Sequence, residues 1–109
     1  MKLYAEYIKE RENRELIYIP QGFATYTVLN NESIYLIDLY VAKEFRKSGF
    51  AWILFNQVCT EAKKLGIKNI ITSACSDANN VTESIKVILS AGFQLTKISG
   101  NMMYFLLEL

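Results

Sequence analysis

Residues 33–41, Ser-Ile-Tyr-Leu-Ile-Asp-Leu-Tyr-Val, are apolar at nearly every position, so a strand formed here carries hydrophobic side chains on both faces. Such a strand belongs in the middle of a sheet that is covered on both sides. The exception within it is Asp38. A polar loop follows, and then Ala51, Leu54, Phe55, Val58, Ala62 and Leu65 recur at helical spacing over about 50–65. Lys63 and Lys64 suit the C-terminal end of that helix and Gly66 its stop. Residues 67–74 return to an extended pattern. Strand, helix and strand in succession predict a right-handed parallel crossover, which confines the fold to a class built on a central sheet.

The flanking segments add further strands. Leu16 to Ile19, ended by Pro20, and Gly22 to Leu29 both read as strands, with Asn30-Asn31 as a hairpin turn. Before them, residues 3–15 place Leu3, Tyr4, Tyr7 and Ile8 on one face of a short amphipathic helix. After the crossover, Asn80 and Glu83 form a capping pair that opens a helix over 81–91, with Ile85, Ile88 and Leu89 inward. Residues 93–99 and 102–109 are two strands joined through Gly100-Asn101, a pair suited to a type II′ turn. The pattern is that of an α+β fold, a mixed central sheet with a parallel β-α-β core, and residues 1–109 are expected to form one domain.

Composition excludes several kinds of chemistry. The chain has no histidine, which removes Ser-His-Asp and Cys-His catalysis and histidine metal ligation. Cys59 and Cys75 cannot supply the four ligands of a structural zinc site and are too far apart for a CxxC motif, so no metal is expected and both are expected reduced in the core. Twelve basic against eleven acidic residues leave a net charge of +1, which argues against nucleic acid and anionic membranes as partners. No apolar run approaches the roughly eighteen residues of a membrane span, and the N-terminus is charged where a signal peptide is apolar. A cytoplasmic location is expected.

The loop from Ala42 to Gly49 leaves the C-terminal end of the central strand and enters a helix through glycine. Unpaired amides at a helix start, reinforced by the helix dipole, favour an anion, and Arg46 and Lys47 add full charges beside them. Gly49 lets the backbone approach a phosphate closely and Ala51 keeps the first turn uncrowded. The competing reading is a solvated loop in which Gly49 shapes a turn. The loop is too short for GxxxxGK[ST] and lacks GxGxxG, which disfavours ATP and NAD.

The run from Tyr35 to Ala51, YLIDLYVAKEFRKSGFA, resembles motif A of the GNAT acetyltransferases: a hydrophobic strand, a valine, then Arg/Gln-x-x-Gly-x-Gly/Ala. Asn80, followed by a helix ending in Ala91-Gly92-Phe93, is similar to motif B of that superfamily. The resemblance covers about residues 16–109 and implies an acyl-CoA N-acyltransferase fold, N-terminally shortened, with acetyl-CoA as co-substrate. It places the pyrophosphate on Arg46, Lys47, Ser48, Gly49, Phe50 and Ala51, with Asn80 as a further contact. It sets the pantetheine arm against the backbone of Leu39 and Val41, in a splay between the strands 33–41 and 67–74. The implied reaction is direct attack on the thioester by a primary amine of a small molecule or peptide, without a covalent enzyme intermediate.

The chain departs from the pattern at the catalytic positions. Ile88 stands where many members carry a tyrosine as acid for the CoA sulfur, and Val81 replaces the motif B asparagine, with Asn80 beside it. Tyr35 stands where some members carry a glutamate base, and strand parity puts it on the opposite face from Asp38. Residues 35–41 are similar to the Glu-Asp-Leu-Tyr-Val of polyamine acetyltransferases, with Ile37 in place of the glutamate and Asp38 retained. Asp38 is then the candidate carboxylate that binds the acceptor amine or relays its proton; the alternative is a buried structural aspartate. Tyr26, Tyr40 and Tyr104 are candidate substitute donors, and Tyr104 joins Asp38 in the candidate catalytic set. With a single helix before Leu16, the acceptor side is open or completed by a second subunit of a homodimer. The strand 102–107 either pairs across such an interface or lies inside the sheet. The second functional reading is a degenerate member that binds CoA, or serves as an interaction module, without catalysis.

Overall fold

A computed structural model describes residues 1–109. Six strands form one sheet: β1 (Glu15–Ile19), β2 (Gly22–Val28), β3 (Ser33–Val41), β4 (Asn69–Cys75), β5 (Gln94–Ser99) and β6 (Met102–Glu108). Three helices accompany them: α1 (Lys2–Glu12), α2 (Phe50–Lys64) and α3 (Val81–Ser90). The strand order is β1-β2-β3-β4-β6-β5. Only β3 and β4 run parallel, joined by the α2 crossover. None of the helices is long and apolar enough to cross a membrane.

The core lies between one face of the sheet and the helices α2 and α3. Leu54, Phe55, Val58 and Ala62, at the spacing that makes one stripe of a helix, are all buried. Phe55, Val58 and Ala62 join Ala24, Tyr26, Ile34, Leu36, Ile70 and Phe105 from four strands in the core. Leu65, expected on the same stripe, lies beyond the last helical residue and is exposed. Ile85 and Ile88 of α3, and Ala91 just after it, pack against the core, while Leu89 stays half-exposed. Of the apolar face expected for α1, only Ile8 is buried, and Leu3 is 79% exposed. The side-chain hydrogen bonds that tie α1 to the sheet come from its last turn and the residue after it: Lys9 pairs with Glu15, and the Asn13 carbonyl accepts from the Thr27 hydroxyl. That helix ends earlier than expected because Asn13 turns into the left-handed region at φ 55°.

Two features of β3 shape everything that follows. In its pairing with β2, Thr25 faces Asp38 and Tyr26 faces Leu36, so Ile37 has no partner and forms a bulge. The bulge reverses the alternation, and Tyr35 and Asp38 stand on the same face of the sheet, opposite the core, which corrects the parity expectation. In its pairing with β4, the ladder holds only from Ser33 to Tyr35 against Asn69 to Ile71. Beyond that point the two strands part.

β6 lies between β4 and β5, paired on both sides. It therefore offers no free edge for a second subunit, and of the two readings of residues 102–107 the internal strand is the one that holds. The edge strands are β1 and β5, and every residue of β5 is exposed. Lys97 on β5 is the kind of charged side chain that blunts such an edge.

Candidate functional site

Where β3 and β4 part, a cleft of about 780 Å³ opens between the strands, the loop after β3 and the helices α2 and α3. β3 contributes Leu36 to Leu39 and Val41, the loop Phe45 to Lys47, and α2 its start at Gly49 to Trp52. Thr72 and Ser73 line it from β4, and Glu83, Val87 and Ile88 from α3. Of the residues expected to hold acetyl-CoA, Leu39, Val41, Arg46, Lys47, Gly49, Phe50 and Ala51 line this cleft. Ser48 and Asn80 do not, nor does Tyr104 of the candidate catalytic pair, whereas Asp38 does.

The loop presents its backbone to the cleft. The N–H groups of residues 47–52 have no hydrogen-bond acceptor within the chain; the first bond from the helix start is Ile53 N–H to the Gly49 carbonyl at 3.2 Å. Part of this follows from helix geometry, which leaves the first turn of amides free. The rest follows from the loop itself, which turns left-handed at Lys47, φ 62°, and at Gly49, φ 87°. Phe45 packs edge-on against Phe50, ring centroids 5.9 Å apart, and pins the loop to the helix. Arg46 donates from Nε to the Val41 carbonyl at 2.9 Å and lays its guanidinium 5.4 Å from the centre of the Tyr40 ring. With Lys43 and Lys47 it makes this end of the sheet locally cationic on a chain whose net charge is only +1.

Two hydroxyl bridges lace the diverging strands. On the core face, Thr72 Oγ1 donates to the Leu36 carbonyl at 3.1 Å, satisfying an acceptor next to the bulge. On the opposite face, the Tyr35 hydroxyl is bonded to Ser73 Oγ. Ser73 lines the cleft, so this pair places a proton-bearing group where the strands separate. Tyr104 is the register partner of Ser73 one strand further out. The reading of the sequence missed Ser73 and Thr72, although polar residues in the otherwise apolar run Ile70-Ile71-Thr72-Ser73-Ala74 carried the same signal that singled out Asp38.

Asp38 is neither buried nor free. Its Oδ2 accepts from Thr25 Oγ1 at 2.7 Å and lies 3.6 Å from Arg14 Nη1, with the side chain 48% exposed. Asn80 precedes α3 but turns left-handed, φ 61°, and its side chain makes no capping bond, so the expected Asn80–Glu83 capping pair does not form. Glu83 instead lies 3.8 Å from Lys86. Tyr40 stacks obliquely on Phe23 and Tyr26 lies in the core beside α2, and neither lines the cleft. Cys59 and Cys75 are free and half-buried rather than fully in the core. Burial pushes the Cys59 thiol up, against the smaller lowering by Lys63.

Comparison with known proteins agrees with this geometry. The profile of the acetyltransferase (GNAT) family matches residues 3–93. A search of curated protein sequences gave no match. Among solved structures, a GNAT family acetyltransferase from Elizabethkingia anophelis with acetyl-CoA bound superposes with a TM-score of 0.76 at 20% identity, over 99% of this chain and 82% of that one. The PaiA N-acetyltransferase from Thermoplasma acidophilum in complex with coenzyme A gives 0.78 at 16% identity, over 99% of this chain and 70% of its own. A Bacillus subtilis acetyltransferase in complex with CoA gives 0.73 at 15% identity, over 95% and 83%. A mixed six-stranded sheet parted after a bulged central strand, a helix entered through glycine beside the gap, and a family match over most of the length lead to one assignment: the chain belongs to the GNAT acetyltransferase family.

Proposed function

We propose that the protein is an N-acetyltransferase that takes the acetyl group of acetyl-CoA to a primary amine of a small molecule or peptide. The observation that carries this reading is the run of unpaired amides at residues 47–52, facing a cleft that continues into the gap between β3 and β4. Such a run, at the start of a fifteen-residue helix, suits a pyrophosphate. The cleft volume falls within the roughly 300–1,000 Å³ of small-molecule sites. The relatives crystallised with acetyl-CoA or CoA support the same ligand.

In this reading Arg46, Lys47, Ser48, Gly49, Phe50 and Ala51 hold the pyrophosphate, with Asn80 nearby, while Leu39 and Val41 flank the pantetheine arm. The nitrogen lone pair of the acceptor attacks the thioester carbon, the C–S bond breaks, the thiolate takes a proton and the new amide nitrogen releases one. Ile88 lines the cleft without a proton to give. Ser73, bonded to Tyr35, is the donor we assign to the sulfur, with Tyr104 next in the row. Asp38, held by Thr25 and Arg14, orients the acceptor amine.

The second reading, a CoA-binding module without catalysis, draws on Ile88 at the place of the usual acid. A panel of primary amines, comprising a polyamine, amino acids, an aminoglycoside and a peptide N-terminus, decides between them when thiol release from acetyl-CoA is followed in each. Amine-dependent thiol release supports the enzyme. Acetyl-CoA binding with no release across the panel supports the module.

A further inference from the structure

We propose that Trp52 is the stacking platform for the purine of acetyl-CoA, so that the protein takes acyl groups carried on CoA in preference to those carried on a phosphopantetheine arm alone. The inference rests on the acetyl-CoA reading and extends it to the nucleotide end of the ligand.

Three large apolar side chains that line the cleft are exposed: Leu39, Trp52 and Val87. Leu39 flanks the pantetheine arm in the proposed arrangement. Trp52, 46% exposed on α2, and Val87, 52% exposed on α3, are left uncovered by the chain. An indole open to a ligand cleft is a large apolar surface that gains from a flat partner.

Its place in the helix selects that partner. Trp52 closes the run of free amides and stands three residues beyond Gly49, about 4.5 Å of helix rise. Helical side chains lean toward the N-terminal end of their helix, which carries the indole toward the pyrophosphate loop. In CoA a single ribose separates the purine from the pyrophosphate, and the pantetheine arm runs the opposite way. With that arm directed along Leu39 and Val41 into the strand gap, the nucleoside leaves the loop on the side of the helices, where Trp52, Ser84 and Val87 line the cleft. The acceptor attacks at the gap, at the other end of the ligand, and does not compete for the indole.

The indole is also held in place. Phe55, one turn further on, meets it edge-on with ring centroids 6.2 Å apart. Phe55 is itself buried, 5.8 Å from the Phe93 ring. A single contact of this kind fixes the ring and leaves one of its faces open to a base, and base–aromatic stacking needs no particular hydrogen-bonding edge. One stacked base contributes only part of the affinity, so ATP and NAD, which lack the pantetheine arm, do not reach that of acetyl-CoA.

Trp52 is the one tryptophan of the chain, so indole emission reports this place alone. Acetyl-CoA and S-acetyl phosphopantetheine, which lacks the adenosine, are titrated into the full chain by calorimetry and, for the wild type, by fluorescence as well. Acetyl-CoA is expected to quench the emission saturably, with the affinity found by calorimetry, and S-acetyl phosphopantetheine to leave it unchanged. Trp52→Ala should weaken acetyl-CoA roughly ten- to hundredfold without altering the affinity for S-acetyl phosphopantetheine, and Trp52→Phe should restore most of the loss. Equal weakening of both donors in Trp52→Ala would make the indole a support of the loop and overturn the proposal. So would wild-type acetyl-CoA affinity in folded Trp52→Ala, or calorimetric binding with unchanged emission, and these outcomes leave the acetyl-CoA reading standing. Heat from neither donor with folded wild-type protein would remove that reading and the proposal together.

Discussion

Replacing Gly49 separates the cost of backbone strain from the loss of a ligand. Gly49 precedes α2 at φ 87° and ψ 0°, and a Cβ built on it meets nothing within 4 Å. Gly66, beyond the other end of α2, has φ 76° and equally open surroundings, but it is not part of the cleft. Alanine at either place therefore carries the same kind of strain, about 1–2 kcal/mol for an L-residue held left-handed. In a domain of this size that lowers the melting temperature by about 4–8 °C for each kcal/mol. The two variants should differ in acetyl-CoA binding: Gly49→Ala puts a methyl group among the free amides, whereas Gly66→Ala leaves them untouched. Gly49→Asp adds a unit charge, and like charges about 5 Å apart repel by about 1–3 kcal/mol at an effective dielectric between about 20 and 80. The expected result is a further loss of affinity of roughly ten- to hundredfold. Thermal melts and calorimetric titrations on the three variants measure both quantities. If Gly66→Ala weakened acetyl-CoA as much as Gly49→Ala, strain alone would account for the effect; if folded Gly49→Asp bound like the wild type, the loop would not hold the pyrophosphate.

Gly22→Ala should be the most destabilising single-methyl change, because its Cβ would lie 2.2 Å from the Tyr40 carbonyl oxygen and 2.9 Å from Val41 Cα, both in the backbone of β3. A loss of about 3 kcal/mol is expected in urea unfolding, and a wild-type midpoint would contradict the packing of β2 on β3. Asp38→Asn removes a charge from a half-exposed pair with Arg14, so stability should fall by at most about 1 kcal/mol while turnover drops and acetyl-CoA affinity holds. Unaltered turnover would leave Asp38 a structural residue. Ser73→Ala and Tyr35→Phe should each lower kcat with KM for acetyl-CoA unchanged, and a normal kcat in both would remove the hydroxyl pair from the chemistry. Folded-state values of Cys59 and Tyr26 are raised from 9.0 and 10.0, so the unfolded chain releases these protons first. Their contribution to stability is complete below about pH 8 and is lost as pH rises through 9 and 10, which denaturant midpoints across that range should show.

The strand and helix order was legible because it rests on long periodic signals. The strand at 33–41 has the expected bounds, and α2 ends one residue before the expected limit of 65. The fold family was also legible, since Val41, Arg46 and Gly49 keep their spacing around a strand-to-helix turn whose geometry the chemistry of an anion requires. What stayed hidden was register. A strand that is apolar on both faces gives no parity signal, so nothing in Tyr35-Leu36-Ile37-Asp38 announced a bulge at Ile37, and Asp38 was assigned to the wrong face relative to Tyr35. The place of β6 stayed open between the inside of the sheet and a pairing edge, because the two share one composition. Asn80 shows a local limit: its sequence suits a side-chain cap, but the turn before α3 takes it left-handed and removes the oxygen from reach. The hydroxyl pair of Tyr35 and Ser73 joins residues 38 apart in the chain and depends on the point where two strands part, which no local pattern encodes.

Calorimetric titration of the wild-type protein with acetyl-CoA, with ATP and NAD as controls, tests the central claim most directly. Saturable heat with acetyl-CoA at micromolar affinity, and none with ATP or NAD, is the predicted result. Absence of heat with acetyl-CoA from folded protein would contradict it, since the free amides of residues 47–52 would then hold no pyrophosphate.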